Sequence, residues 1–134
     1  MTAPRTHPRV DLLHHDFVLA GLVELRHQVQ RRAQDAGLAD LALYRFVVAV
    51  NEITTNAVRH GGGAGRLELW RTGRSLYCRV TDHGPGLPPG HQLRRPTTDA
   101  VGGRGLWLAG RSSDHLAIDT GPHGTSVTLT ATTA

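Results

Sequence analysis

The stretch Asn51–Gly62, which reads NEITTNAVRHGG, decides both the fold and where a site should lie. Its polar residues Glu52, Asn56 and His60 are spaced four apart, so in a helix they form a column on one face. The other side carries apolar residues at helical spacing, namely Val48, Ala49, Ile53 and Ala57. Three consecutive glycines, Gly61–Gly63, then favour a helix end. The stretch therefore predicts an amphipathic helix whose polar column runs to its C-terminus.

The polar column has two interpretations. Polar residues on one side of a helix are commonly its solvated face, but such faces are usually filled with long charged side chains. Asparagine is a poor helix former because its amide competes for backbone hydrogen bonds. Four short polar side chains nevertheless crowd this helix, at Asn51, Thr54, Thr55 and Asn56. A local cost of this kind is also typical of a functional site, so at this point both interpretations stay open.

Length and composition set broad limits on the protein. A chain of 134 residues fits one domain with a sizeable core. Cys78 is the single cysteine, which rules out an internal disulfide, and its apolar neighbours predict a small buried side chain. No apolar run approaches the roughly 18 residues of a membrane span, and the N-terminus lacks a signal-peptide core. We expect a soluble cytoplasmic protein without a membrane partner.

The basic charge does not point to nucleic acid. The 15 basic residues are all arginine and the net charge is +4, yet the arginines are scattered, with only two doublets. Aromatic residues make up only 4% of the chain, too few for a platform on which bases stack. The absence of lysine also excludes a P-loop lysine and Schiff-base chemistry. No direct nucleic-acid partner is expected.

Hydrophobic periodicity predicts an α+β fold. One helix is expected over 18–36, and a second from Asp40, as N-cap, through the opening stretch. Strands are predicted where polar and apolar residues alternate or β-formers cluster, at 9–14, 66–72, 75–81, 115–119 and 126–132. The segment 83–103 has no period and suggests a lid, followed by a short helix at 105–111. The result is a two-layer sandwich with helices on one face of a mainly antiparallel sheet. Residues 1–15 would be a tail with a possible edge strand, and 16–134 one domain.

Four patches, each weak alone, occur in an informative order. They are NEITTNAVRHG, then DHGPGLP (82–88), GGRGLWL (102–108) and GTSVTL (124–129). Together they resemble the N box, the two glycine boxes and the terminal Gly-Thr strand of the GHKL ATPases, the Bergerat or histidine-kinase-like ATPase fold. Within that superfamily the short chain looks like the stand-alone anti-sigma-factor branch of serine/threonine protein kinases. The resemblance covers nearly the whole chain.

The resemblance implies roles for individual residues and two cofactors, ATP and magnesium. Asn56 would bind the magnesium ion, Glu52 would be the general base, and His60 would help to position the nucleotide. Asp82 would accept a hydrogen bond from the adenine amine. The remaining ATP-binding residues implied by the resemblance are Gly84, Gly86, Gly103, Arg104, Gly105, Leu106 and Thr125. One departure is Ala100-Val101, where some members carry a charged pair.

The function implied by the resemblance is an ATP- and magnesium-dependent serine/threonine protein kinase of anti-sigma type. It would phosphorylate an anti-anti-sigma (STAS-type) partner and sequester a sigma factor. The alternative is an ATP-binding regulatory module with weak catalysis that acts through protein–protein binding; the change at Ala100-Val101 motivates it. The first helix has apolar and arginine surface for a partner, and a homodimer is a further expectation.

Overall fold

The computed structural model describes residues 8–84 and 115–133. Within them, five strands form one antiparallel sheet in the order β1-β2-β3-β5-β4, and two helices precede the β2–β3 hairpin. The α+β prediction is confirmed. The elements are β1 (Arg9–Val18), a 3₁₀ turn (Leu19–Gly21), α1 (Leu22–Asp35), α2 (Asp40–His60), β2 (Ala64–Thr72), β3 (Ser75–Asp82), β4 (His115–Gly121) and β5 (Gly124–Thr132).

The core lies between the two helices and one face of the sheet. Alternation along β3 and β5 sends every second side chain towards the helices, because strand side chains have a period of two. The helices supply an apolar stripe that includes Leu25, Val29, Phe46 and Ile53, each at most 2% exposed. This alternation includes the last residue of β3 and the second residue of β5, which pair with each other. The inward positions at that end of the two strands therefore hold polar residues, Asp82 and Thr125.

The two predicted hairpins are present. Gly73 turns between β2 and β3 with φ of 60°, a left-handed conformation that glycine adopts without a Cβ penalty. β4 and β5 pair antiparallel from His115↔Thr130 to Gly121↔Gly124. On the sheet face away from the helices, Trp70 stacks on Tyr77 at 5.2 Å between ring centroids. Short-range alternation and turn residues were therefore sufficient to locate these strands.

Two predicted boundaries were wrong. The edge strand runs to Val18 instead of ending at residue 14, and the helix begins at Leu22 instead of Val18. The reason is pairing at long range, since β1 follows β2 as far as Val18↔Ala64 and buries Phe17 in the core. Asp40 is not the N-cap of α2 either. Ala39 occupies that position, without a side-chain capping bond.

The predicted short helix at 105–111 and all but the first two residues of the predicted lid lie outside the described residues. Cys78 is buried as expected, and burial raises the pKa of its thiol well above the usual range. None of the helices in the described part of the chain is long and apolar enough to cross a bilayer.

Candidate functional site

The polar column on α2 is not an ordinary solvated face. Asn56 is only 7% exposed, while Glu52 and His60 are half-buried. The Asn56 amide nevertheless makes no side-chain hydrogen bond with a described residue, and Glu52 has no ion pair among them. A buried amide usually finds a partner within the protein. An amide and a carboxylate thus lie one helical turn apart on this face, and neither side chain has a described partner within residues 8–84 and 115–133.

The C-terminus of α2 is shaped to meet the end of β3. The N–H of Gly61 donates to the Ala57 carbonyl at 2.7 Å, which closes the last turn of the helix. A Cβ added at Gly61 would lie 2.3 Å from Cγ of Asp82, and one added at Gly84 would lie 2.5 Å from Cα of Gly61. Real Cβ atoms do not approach other atoms this closely. Glycine is required at both positions because helix and strand end are in direct contact.

Asp82 is held in a fixed orientation at this junction. Its side chain is 8% exposed, and its Oδ1 accepts hydrogen bonds from the backbone N–H of Gly84 at 3.0 Å and of Thr125 at 3.2 Å. Bonds of this kind to a carboxylate are stronger than those to a neutral acceptor. Oδ2 accepts no hydrogen bond from a described residue. One oxygen therefore orients the side chain, and the acceptor positions of the other are not used by the described residues.

Thr125 lies beside Asp82 because the two residues face each other in the β3–β5 register. It is 6% exposed, and its Oγ1 lies 2.8 Å from Oγ1 of Thr120 on β4. The preceding Gly124 has φ of +141°, and a Cβ there would lie 2.0 Å from the Asp82 carbonyl oxygen. The backbone of Asp82 and His83 can thus lie this close to the start of β5 only if residue 124 is glycine.

Two cavities border this junction. One of about 300 Å³ is lined by the ends of β3 and β5 and by the β4–β5 turn, with Asp82 and Thr125 among its residues. The other, of about 510 Å³, lies beside Gly61 and Phe17 and is also bordered by His83. Neither includes Glu52 or Asn56 among its described lining. The cavities mark the Asp82 end of the site and not the α2 column.

The described residues do not enclose a metal ion by themselves. Within residues 8–84 and 115–133, no three His, Cys, Asp or Glu side chains come together as a metal site. The chain therefore offers no complete cage there. Magnesium, however, is commonly held by one or two protein oxygens together with substrate phosphates and water. The Asn56 amide oxygen, buried and without a described partner, fits that mode of binding.

The structure brings together Glu52, Asn56 and His60 on one helix face, with Asp82, Gly84 and Thr125 at the adjoining strand ends. Five other predicted site residues lie outside the described residues: Gly86, Gly103, Arg104, Gly105 and Leu106. Sequence reasoning missed the contact roles of Gly61 and Gly124. The glycines were noticed only as a helix stop and as part of a strand patch, since a close approach between distant segments leaves no local signal.

Helix α1 also contributes to the neighbourhood of the column, which the sequence did not indicate. Arg26 is half-buried, and its Nη2 donates to Thr55 Oγ1 at 2.7 Å and to the Asn51 carbonyl at 3.4 Å. Thr54 Oγ1 donates back to the Val50 carbonyl at 2.8 Å and to that of Asn51 at 3.1 Å. The two polar residues Asn51 and Thr55 that looked anomalous in the helix are thus contact points for α1.

Comparison with known proteins identifies the family. Residues 18–131 match the histidine kinase-like ATPase domain. Since the match spans most of the sequence, the chain belongs to that family, and to the GHKL superfamily that its motifs resemble. No curated protein matches the sequence.

Solved structures support the fold. The histidine kinase domain of the blue-light-activated kinase from Erythrobacter litoralis EL346 is 23% identical, with a TM-score of 0.53. The aligned region covers 80% of this chain and 64% of that protein. The histidine kinase AdeS of Acinetobacter baumannii is 14% identical, with a TM-score of 0.56 and coverage of 92% and 68%. The mycobacterial sensor histidine kinase MprB is 17% identical, with a TM-score of 0.53 and coverage of 90% and 97%. The chain thus spans less than two thirds of the first of these proteins.

Proposed function

We propose that this member of the histidine kinase-like ATPase family binds ATP with magnesium and transfers the γ-phosphate to a serine or threonine of a protein partner. One observation carries the proposal. The α2 column with Glu52 and Asn56 ends in direct contact with Asp82, whose Oδ2 accepts no hydrogen bond from a described residue. An acceptor suited to a base amine and an amide suited to a metal-bound phosphate therefore lie on adjoining elements.

The Asp82 end is proposed to bind adenine. Its Oδ2 would accept a hydrogen bond from the exocyclic amine, while the backbone N–H groups of Gly84 and Thr125 keep the carboxylate in place. Guanine would present a carbonyl oxygen to the same carboxylate, and two acceptors repel each other. The Thr125 hydroxyl, close to that of Thr120, supplies a further polar group beside the base. Selection of ATP over GTP follows from this arrangement.

The α2 column is proposed to serve the phosphates. Asn56 would hold magnesium, which when bound neutralises phosphate charge and orients the γ-phosphate. Glu52, one turn earlier, would accept the proton of the attacking hydroxyl as its oxygen forms a bond to phosphorus and the bond to the ADP oxygen breaks. His60 completes the column and would position the nucleotide. Glu52 is thus proposed as the base and Asn56 as the metal ligand.

The partner is proposed to be a small anti-anti-sigma (STAS-type) protein, with a sigma factor as the protein that is held inactive. Support comes from the resemblance of the four motif patches to that branch and from the exposed surface of the chain. Leu19 in the 3₁₀ turn is 67% exposed and Val23 at the start of α1 is 64% exposed, and apolar side chains of this size are common at protein interfaces. The same surface could serve a homodimer.

Calorimetric titration with a non-hydrolysable ATP analogue tests the nucleotide site first. Binding that depends on magnesium and is weaker for GTP is expected, and no binding at millimolar nucleotide would overturn the site. Transfer is tested with radiolabelled ATP and candidate partners, comparing the parent protein with Glu52→Gln. The variant should bind the ATP analogue about as well as the parent and lose transfer by about a hundredfold or more. Undiminished transfer would contradict the assignment of Glu52 as base.

A second candidate is an ATP-binding regulatory module with weak catalysis. The observation in its favour is Ala100-Val101, where some members of the branch carry a charged pair before the second glycine box. Such a module would bind ATP and its partner through the same residues. The transfer assay separates the two functions, because the module would form the ternary complex and leave the partner unlabelled.

A further inference from the structure

The guanidinium of Arg26 crosses from α1 to the turn of α2 that carries the proposed base. Its Nη2 donates to Oγ1 of Thr55 at 2.7 Å and to the carbonyl of Asn51 at 3.4 Å. Residues 51 and 55 are one helical turn apart and flank Glu52 in the sequence. Arg26 of α1 therefore contacts one residue before and one residue after Glu52, the proposed base.

The charge of Arg26 has no carboxylate partner among the described residues. The ion pairs found there join other arginines, Arg9, Arg31 and Arg66, to acidic side chains at the surface. Nε of Arg26 and Oδ1 of Asn51 are both buried, and neither has a hydrogen-bond partner in the described part of the chain. Both unsatisfied atoms reduce stability, since a buried polar atom without a partner has lost its hydrogen bonds to water. An arrangement that costs stability in this way is typical of a functional role.

The turn that Arg26 contacts is also restrained from within the helix. Thr54 Oγ1 donates to the carbonyls of Val50 and Asn51, at 2.8 and 3.1 Å. The Asn51 carbonyl thus receives side-chain hydrogen bonds from both Thr54 and Arg26. Additional donors on helix carbonyls change the local bend of a helix. The direction in which the next polar side chains point is therefore set by these contacts as well as by the regular helical repeat.

We propose that Arg26 is a positioning residue, which fixes the rotation of the α2 turn that carries Glu52 and leads to Asn56. The proposal rests on the proposed function for its effect on catalysis, but its structural part stands on the Arg26–Thr55 contact alone. A carboxylate about 6 Å from the helix axis moves by about 1 Å when the helix rotates by about 10°. Misplacement of about 1 Å at a reacting group can cost about a hundredfold in rate.

The test uses two variants that remove the contact from opposite sides and one control. Arg26→Met keeps a long apolar stem and removes the guanidinium; Thr55→Val keeps the shape of the side chain and removes the acceptor. Arg32→Met is the matched control, because Arg32 lies exposed on the same helix. Arg26→Lys, which keeps the charge and can still donate one bond, should restore part of the effect. The melting temperature of each variant is measured to confirm that it folds.

The first readout needs no activity. In the nucleotide-free protein, the Asn56 side-chain amide resonance should shift in Arg26→Met and Thr55→Val, in the same direction, and stay in place in Arg32→Met. An unmoved resonance in both folded variants would overturn the proposal, and Thr55→Val keeps it testable if Arg26→Met does not fold. This measurement decides the proposal even if the parent protein fails to bind ATP, so the two failures are distinguishable.

The second readout separates positioning from nucleotide binding. ADP formation at saturating ATP should fall about ten- to a hundredfold in Arg26→Met and Thr55→Val, while the dissociation constant of the ATP analogue changes less than about threefold. The double variant should be no worse than Arg26→Met alone, since Thr55→Val removes one of the two bonds that Arg26→Met removes. Equal losses in binding and turnover, or fully additive effects, would count against a positioning role.

Discussion

Replacing Asp82 by asparagine separates the two oxygens of this side chain. In the parent protein Oδ1 accepts the N–H groups of Gly84 and Thr125, and Oδ2 has no described partner. An asparagine can place its amide oxygen in the Oδ1 position, because the two N–H donors leave only an acceptor as a suitable group there. Its NH₂ group must then occupy the Oδ2 position. The change therefore preserves the hydrogen bonds from Gly84 and Thr125. It also makes the new NH₂ group face the adenine amine, so that two donors oppose each other.

The expected loss of ATP affinity follows from that geometry. A hydrogen bond to a charged acceptor is worth about 1.5–3 kcal/mol, so its loss should raise the dissociation constant for ATP roughly 10- to 150-fold. GTP should lose less or gain, because a guanine carbonyl can accept from the new NH₂ group. Calorimetric titration of both nucleotides gives the ratio of the ATP and GTP dissociation constants directly. Asp35→Asn, an exposed acid at the end of α1, is the control and should leave both affinities unchanged.

Stability measurements complete this experiment. Asp82→Asn should lower the free energy of unfolding by only about 1 kcal/mol, whereas Asp82→Ala leaves two buried N–H groups without an acceptor and should cost about 2–6 kcal/mol. At roughly 4 °C per kcal/mol, the two variants should differ clearly in melting temperature. If a well-folded Asp82→Asn protein bound ATP as tightly as the parent, the assignment of Asp82 to adenine would be refuted.

Three further changes test other parts of the structure. Asn56→Ala should remove the magnesium dependence of analogue binding, and an affinity that still rises with magnesium would contradict its role as ligand. Gly61→Ala should displace Asp82, lower the free energy of unfolding by about 1–3 kcal/mol through overpacking, and abolish nucleotide binding. Gly62→Ala is the control, because residue 62 has φ of +87° and open space around it; this change should lower the free energy of unfolding by about 1 kcal/mol and leave binding intact. Cys78 should resist alkylation in the native protein at pH 8 and react after denaturation, because burial raises the pKa of its thiol and excludes the reagent. Rapid labelling of the native protein would contradict the close packing of β3 against the helices.

Much of the fold was readable from the sequence because its signals are local. The alternation of residues 66–72 and 75–81 and the glycine between them predict a hairpin, and the structure has that hairpin. The helical spacing in the opening stretch predicted α2, whose end at His60 coincides with the glycine cluster. Each of these patterns arises among residues a few positions apart, where backbone geometry and the burial of one face decide the structure.

The wrong boundaries show where local reasoning ends. Nothing within residues 9–18 distinguishes a strand that stops at residue 14 from one that continues to Val18. The difference is made by pairing with β2, whose partner residue Ala64 lies far along the chain. Likewise Asp40 has the composition of an N-cap, but the chain enters α2 with Ala39 in that position and no side-chain cap.

The sequence by itself determined which residues are candidates: the four-residue spacing of Glu52, Asn56 and His60, and the polar Asp82 at the end of a strand pattern. Only the tertiary structure decided that these groups meet. Register across β3 and β5 brings Thr125 to Asp82 over 43 positions, and helix packing brings Arg26 to Thr55 over 29. Such contacts depend on how the elements pack to bury the core, and that packing is a property of the whole chain and not of any short segment.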